Sequence, residues 1–98
     1  MHVVSHKTLE AYYDKGNSKA KIPLERWFNV AKHAEWKTLA DIKKDYPSVD
    51  YVGNQRYVFN IHGNDYRLVV VIQFTPGKLY IRWVGTHAEY DKIDCKTI

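Results

Sequence analysis

From Arg56 onward apolar and polar residues alternate with a period of two, the pattern of strands that bury one face. Three such stretches follow one another: RYVFNI, YRLVVVIQF and KLYIRWV. His62-Gly63-Asn64-Asp65, between the first two, is a hairpin signal, with Gly63 and Asn64 suited to positive φ. A turn centred on Gly63-Asn64 sets Asn60 opposite Arg67, Phe59 opposite Leu68 and Ile61 opposite Tyr66. One face then carries Tyr57, Phe59, Ile61, Tyr66, Leu68, Val70, Ile72 and Phe74, and is the expected core. The other carries Asn60, Arg67 and Gln73 among small valines. Pro76-Gly77 marks the next turn, and pairing Phe74 with Leu79 across it places Arg82 opposite Val71. Proline does not suit a primed two-residue turn, so a longer loop is also open here and this second register is the less tightly specified one. In it, Arg67, Arg82, Asn60 and Tyr80 share a face of small residues with room for a ligand.

The first half of the chain follows a helical period. After a short opening strand at His2-Val3-Val4, Ser5 is placed to cap a helix carrying Leu9, Tyr12 and Tyr13, with Gly16-Asn17 as its stop. A second helix starts between Ser18 and Pro23, because proline is tolerated only in the first turn. Its stripe of Leu24, Trp27, Phe28, Ala31 and Ala34 packs inward, so the two helices form an antiparallel hairpin. Thr38-Leu39-Ala40-Asp41 matches a capping box and opens a short helix that ends before Pro47; a brief strand is expected around Tyr51. Thr86-His87-Ala88-Glu89 is a second capping box, with His87 in the first turn and Tyr90 one turn on. The predicted fold is α+β: a small antiparallel β-sheet packed against two or three N-terminal helices, with a short C-terminal helix.

At 98 residues the chain has room for a single domain, 1–98, and no second core. No apolar run approaches the roughly 20 residues of a membrane span, and no secretory signal pattern is visible, so a cytoplasmic protein is expected. The one cysteine, Cys95, has no internal partner for a disulfide, which agrees with a reducing compartment. The net charge of +4 fits a polyanionic partner, although nine Lys and Arg against six Asp and Glu in residues 1–49 put most of the excess on the helices.

The five histidines and Cys95 show no ligand spacing for a metal, and no cofactor motif occurs. There is no glycine-rich phosphate loop, no nucleophile elbow and no catalytic carboxylate pair. What remains is a metal-free set of arginines, a histidine and a tyrosine. Such groups suit cleavage of RNA through its own 2′-hydroxyl, which needs a base, cationic donors for the phosphate and an acid for the leaving 5′-oxygen. His87, Arg67, Tyr90 and Arg82 are the candidate catalytic residues, and Asn60, His62, Gln73 and Tyr80 the candidate RNA contacts. A helix start offers free amides to a phosphate and disfavours a charged imidazole, so His87 is expected neutral and available as a base. Each side chain also has a structural use: solvated strand arginines, a tyrosine at the core edge, an asparagine bracing the hairpin.

The segments Tyr57-Val58-Phe59-Asn60-Ile61, Gly63-Asn64, Tyr66-Arg67-Leu68-Val69, Ile81-Arg82-x-Val84 and Thr86-His87-x-Glu89-Tyr90-Asp91 occur in this order, after an opening Met1-His2-Val3-Val4-Ser5 and an amphipathic helix. On them the sequence resembles the HigB branch of the RelE-like toxins of type II toxin–antitoxin systems, over nearly the whole chain. The resemblance implies a RelE-like fold and ribosome-dependent endonuclease action on translated mRNA. It also implies neutralisation by a helix-turn-helix antitoxin of the HigA type, with operator DNA met only through the toxin–antitoxin complex. Arg67 matches a phosphate-contacting arginine of RelE proper, and His87 and Tyr90 fall in the segment where these toxins keep catalytic or substrate-contacting groups. RelE proper carries catalytic lysines where this chain has Val58 and Asn60, so the identity of base and acid stays open, with His87 preferred as base. Two rival readings are a RelE-fold inhibitor of DNA gyrase without nuclease activity and a non-catalytic RNA-binding module.

Overall fold

Asn60 faces Arg67 across the first hairpin, with Phe59 against Leu68 and Ile61 against Tyr66, the register that the alternation predicts. The computed structural model describes residues 1–98. Its elements are β1 (His2–Val4), α1 (His6–Asp14), a 3₁₀ turn (Ser18–Ala20), α2 (Lys21–His33), α3 (Leu39–Asp45), β2 (Asp50–Gly53), β3 (Arg56–Ile61), β4 (Tyr66–Gln73), β5 (Lys78–Thr86) and α4 (His87–Tyr90). The strands form one sheet in the order β1-β5-β4-β3-β2. Strands β2 to β5 are antiparallel, but β1 runs parallel to β5, so the α+β fold has a mixed sheet rather than an antiparallel one. The short β1 covers only Lys78 to Tyr80 of β5.

Two turns depart from the expected geometry. In the first, positive φ falls on His62 (53°) and Gly63 (65°) rather than on Gly63 and Asn64. Histidine is among the residues that tolerate this region, and the Asp65 carboxylate holds its Nδ1 at 2.7 Å. In the second, Gln73 pairs with Lys78 and Ile72 with Leu79, so the Phe74–Gly77 loop holds four residues and Phe74 does not face Leu79. Tyr80, not Arg82, therefore lies opposite Val71. A bulge follows: Ile81 pairs with Val70 and Trp83 with Val69, leaving Arg82 as the extra residue.

Helix starts are also resolved. Ser5 precedes α1 with φ 75° and makes no side-chain cap, because the chain turns there through the left-handed region. Thr38 does cap α3, accepting from the Asp41 amide at 3.3 Å. Thr86 and Glu89 form the complete capping box of α4.

All three long helices bury their stripes on one face of the sheet. Leu9 and Tyr13 of α1, Leu24, Trp27 and Ala31 of α2 and Ile42 of α3 join Phe59, Ile61, Leu68, Val70, Ile72, Leu79, Ile81 and Val84 in one core. Its centre is Phe59, whose ring meets Trp27 at 5.3 Å, Tyr46 at 5.3 Å and Trp36 at 6.0 Å. One side chain thus links α2, the segments flanking α3 and the middle of the sheet. No helix is long and apolar enough to cross a membrane.

Phe59→Ala should lower unfolding stability by about 3–5 kcal/mol, since the aromatic walls around it cannot collapse into the space. Urea titration followed by tryptophan fluorescence measures this; a loss below about 1 kcal/mol would contradict Phe59 as the centre of the core.

Candidate active site on the outer face of the sheet

The face turned away from the helices is built around Arg67. Its β4 position sets it between Asn60 on β3 and Gly85 on β5. The guanidinium curls toward the first hairpin, donating from Nη1 to the Tyr66 and Asn64 carbonyls at 3.2 and 3.4 Å and from Nη2 to Asn64 Oδ1 at 3.4 Å. Gly85 has no substitute here: a Cβ would lie 2.5 Å from the Trp83 ring and 3.0 Å from Glu89 Oε1. The bulge at Arg82 is what turns Trp83 onto this face, opposite Val69. Its indole then meets the Tyr90 ring at 6.2 Å.

The start of α4 is tied to the hairpin. The His87 amide donates to the Asp65 carbonyl at 3.3 Å, the Thr86 amide to Glu89 Oε1 at 2.8 Å and the Glu89 amide to Thr86 Oγ1 at 3.2 Å. Three of the amides expected to wait for a phosphate, those of Thr86, His87 and Glu89, are therefore engaged, and a carboxylate already sits at this helix start. The His87 side chain is exposed, with Asp91 Oδ2 3.4 Å from Nδ1, a neighbour that the helix-start argument leaves out.

Tyr90 is half-buried and donates to Cys95 Sγ at 3.4 Å. Burial first, then the Cys95 thiol and Asp50, push its phenol up to about 12, with Arg67 acting in the opposite sense. At neutral pH Tyr90 is a proton donor.

Arg67, Asn60, His87 and Tyr90 thus lie around the first hairpin and the start of α4, while the Arg82 guanidinium turns to the Ile98 oxygen that Arg56 also reaches. Arg82 lies three residues along β5 from Gly85, the partner of Arg67. Gln73 and Tyr80 share the face but lie away from that hairpin: six residues of strand separate Gln73 from Arg67, or about 20 Å. His62 lies apart, lining with Pro23, Arg26 and Asn60 a cleft beside α2.

Three features of the face were not read from the sequence. Arg56 sits on it opposite Val71, by the same alternation that places Asn60 there, and that parity was enough to find it. Trp83 falls on the core face in an unbroken register, and only the bulge reverses it. The third is the C-terminal segment. Val58 and Val69 are 4% and 0% exposed although neither belongs to the helix-side core. Residues 94–98 reach across this face: Asn54 Nδ2 donates to the Lys96 carbonyl at 3.1 Å, and Arg56 Nη2 and Arg82 Nε to the Ile98 main-chain oxygen at 2.8 and 3.2 Å. The open space expected among the valines is in part filled by the protein itself.

Every close pair of a side-chain cation with an Asp or Glu involves histidine; no Lys or Arg has such a partner. Nor do three His, Cys, Asp or Glu side chains come together as metal ligands would. The charge available to a substrate on this face comes from free guanidinium groups.

The sequence model of a family described as HigB_toxin, RelE-like toxic component of a toxin-antitoxin system, matches residues 20–93. The chain belongs to the HigB toxin family. It is 35% identical over 94 residues to the mRNA interferase toxin HigB of Escherichia coli K12, covering 93% of this chain and 88% of that protein. The mRNA interferase HigB of Shigella flexneri shares the same identity and coverage. A further mRNA interferase HigB, from Escherichia coli O6:H1, is 27% identical over 95 residues, covering 95% of this chain and 91% of that protein. The matched span of the HigB family model takes in β3, β4, β5 and α4, and with them every candidate site residue.

A tyrosine whose phenol is raised in the folded state stabilises the fold below pH 10 and loses that contribution as pH rises toward 12. Tyrosinate absorbance of wild type and Tyr90→Phe should therefore differ by one chromophore that ionises near pH 12. A difference centred near 10 would show that Tyr90 is neither buried nor held by Cys95.

Proposed function

We propose that this HigB-family toxin is an endoribonuclease that cuts translated mRNA on the ribosome, through the 2′-hydroxyl and without a metal. The observation that carries the reading is Arg67, with no Asp or Glu paired to it, beside the hairpin to which α4 is tied with its exposed His87 imidazole and protonated Tyr90 phenol. Its relatives are mRNA interferases, which supports the same substrate.

His87 accepts the 2′-hydroxyl proton at Nε2, Nδ1 being turned to Asp91. The 2′-oxygen attacks phosphorus, and Arg67 and Arg82 hold the charge that gathers on the phosphate oxygens. The bond to O5′ breaks as Tyr90 supplies the proton, leaving a 2′,3′-cyclic phosphate and a 5′-hydroxyl. Asn60, opposite Arg67, contacts the reacting nucleotide; Tyr80 and Gln73 bind RNA further along the face, and His62 binds it at the hairpin turn. A helix-turn-helix antitoxin of the HigA type neutralises the toxin in the cytoplasm, and operator DNA is met only through that complex.

Primer extension on a defined mRNA, with and without translating ribosomes, tests this. Wild type should cut within the reading frame only when ribosomes translate, and His87→Ala should cut about 10²–10⁴-fold more slowly while keeping its fold. Growth arrest without any cuts would overturn the nuclease and favour a gyrase-type inhibitor.

A further inference from the structure

Arg56 and Arg82 come from β3 and β5, on either side of β4, yet both reach one oxygen, the main-chain oxygen of Ile98. Two guanidinium groups converging on a single acceptor, with no Asp or Glu paired to either, is a donor arrangement suited to a phosphate. Arg56 Nε is in addition buried with no hydrogen-bond partner at all. A buried N–H of a cation left unmatched is costly, and a ligand with more acceptor oxygens than one would relieve it. A phosphodiester, with two free oxygens and a full charge, meets both conditions.

From this geometry we propose that Arg56 joins Arg82 in holding RNA phosphate at the cleavage site, and that the chain's own residues 94–98 occupy this subsite in the free protein. The inference rests on the nuclease reading above and adds to it a residue, Arg56, and a competitor. The competitor is held lightly. Beyond the two arginine bonds, its polar tie to the sheet is the Asn54 side chain on the Lys96 carbonyl, and Tyr90 reaches it through Cys95. An RNA strand entering along the arginines displaces the segment from the Ile98 end. The same movement releases Cys95 from Tyr90, freeing the phenol for its proton transfer.

The strap and the subsite respond in opposite directions to the right pair of substitutions. Asn54 lies at positive φ (50°), so Asn54→Gly removes the tie without backbone strain and leaves both arginines in place. Binding of a 2′-O-methyl RNA hexamer, which lacks the hydroxyl needed for cleavage, is read by fluorescence anisotropy over a range of salt. The rate at which Cys95, the only cysteine, reacts with a thiol reagent reads the strap in the absence of RNA.

Asn54→Gly should react faster at Cys95 and bind the hexamer several-fold more tightly. Arg56→Ala should also react faster, yet bind at least about tenfold more weakly, with the slope of log K against log salt reduced by about 0.7. Arg56→Lys, which keeps the charge but not the fork, should fall between. A faster thiol in Asn54→Gly with unchanged or weaker hexamer binding would overturn the strap as a competitor. Unchanged binding in Arg56→Ala would overturn the subsite. A wild type that cuts mRNA in the primer-extension assay but gives neither variant effect leaves the nuclease standing and removes this inference alone; absence of both cutting and hexamer binding removes both.

Discussion

The packing of Phe59 against Trp27, Trp36 and Tyr46 is the constraint from which the rest follows. It fixes which face of β3 is buried, and because side chains alternate, it fixes the other face too. Once Phe59 points at the helices, Asn60 and Arg56 must point away from them. The β3–β4 pairing carries that decision to Arg67, and the β4–β5 pairing to Gly85. A one-residue slip would bury an arginine among aromatic rings, so the register of the polar face is held by the apolar one.

What distinguishes the outer face is how its charge is left unused. Guanidinium groups on three adjacent strands have only main-chain oxygens and the Asn64 side chain for partners, and no Asp or Glu. Three carboxylates nearby are committed elsewhere: Asp65 to His62, Glu89 to the Thr86 amide, Asp91 to His87. Committed in this way, they orient the helix start and the imidazole without cancelling the arginines. The His87 amide, bonded to the Asp65 carbonyl, ties α4 to the hairpin, and Tyr90 then packs against Trp83, where burial keeps the phenol protonated.

Most of the fold could be read from the chain because period-two and period-3.6 patterns are properties of neighbouring residues. The first hairpin, the inward stripe of α2 and both threonine caps are local in this sense, and all were legible. What was not legible depends on residues that the pattern does not bring together. The bulge at Arg82 is decided by how β5 meets β4, and it alone moves Trp83 to the outer face. The parallel placement of β1 joins residues more than seventy positions apart. The engagement of the helix-start amides by Asp65, and the crossing of residues 94–98 over the arginines, are likewise long-range matters of geometry. Arg67, His87 and Tyr90 were nameable because hairpin and cap are sequence features; Arg56 was nameable by parity and passed over because a strand arginine is so often only solvated.

The claim that side chains of this face cleave RNA through the RNA's own hydroxyl is met most directly by the chemistry of the cut ends. Mass spectrometry of fragments released from a defined translated message by the wild-type toxin, with cleavage assayed on isolated ribosomal complexes, identifies them. The account predicts 5′-hydroxyl ends and 2′,3′-cyclic phosphates, or the 3′-phosphates to which these open. Fragments bearing 5′-phosphates and free 3′-hydroxyls would mean that water, not the 2′-oxygen, attacks phosphorus, and would contradict it.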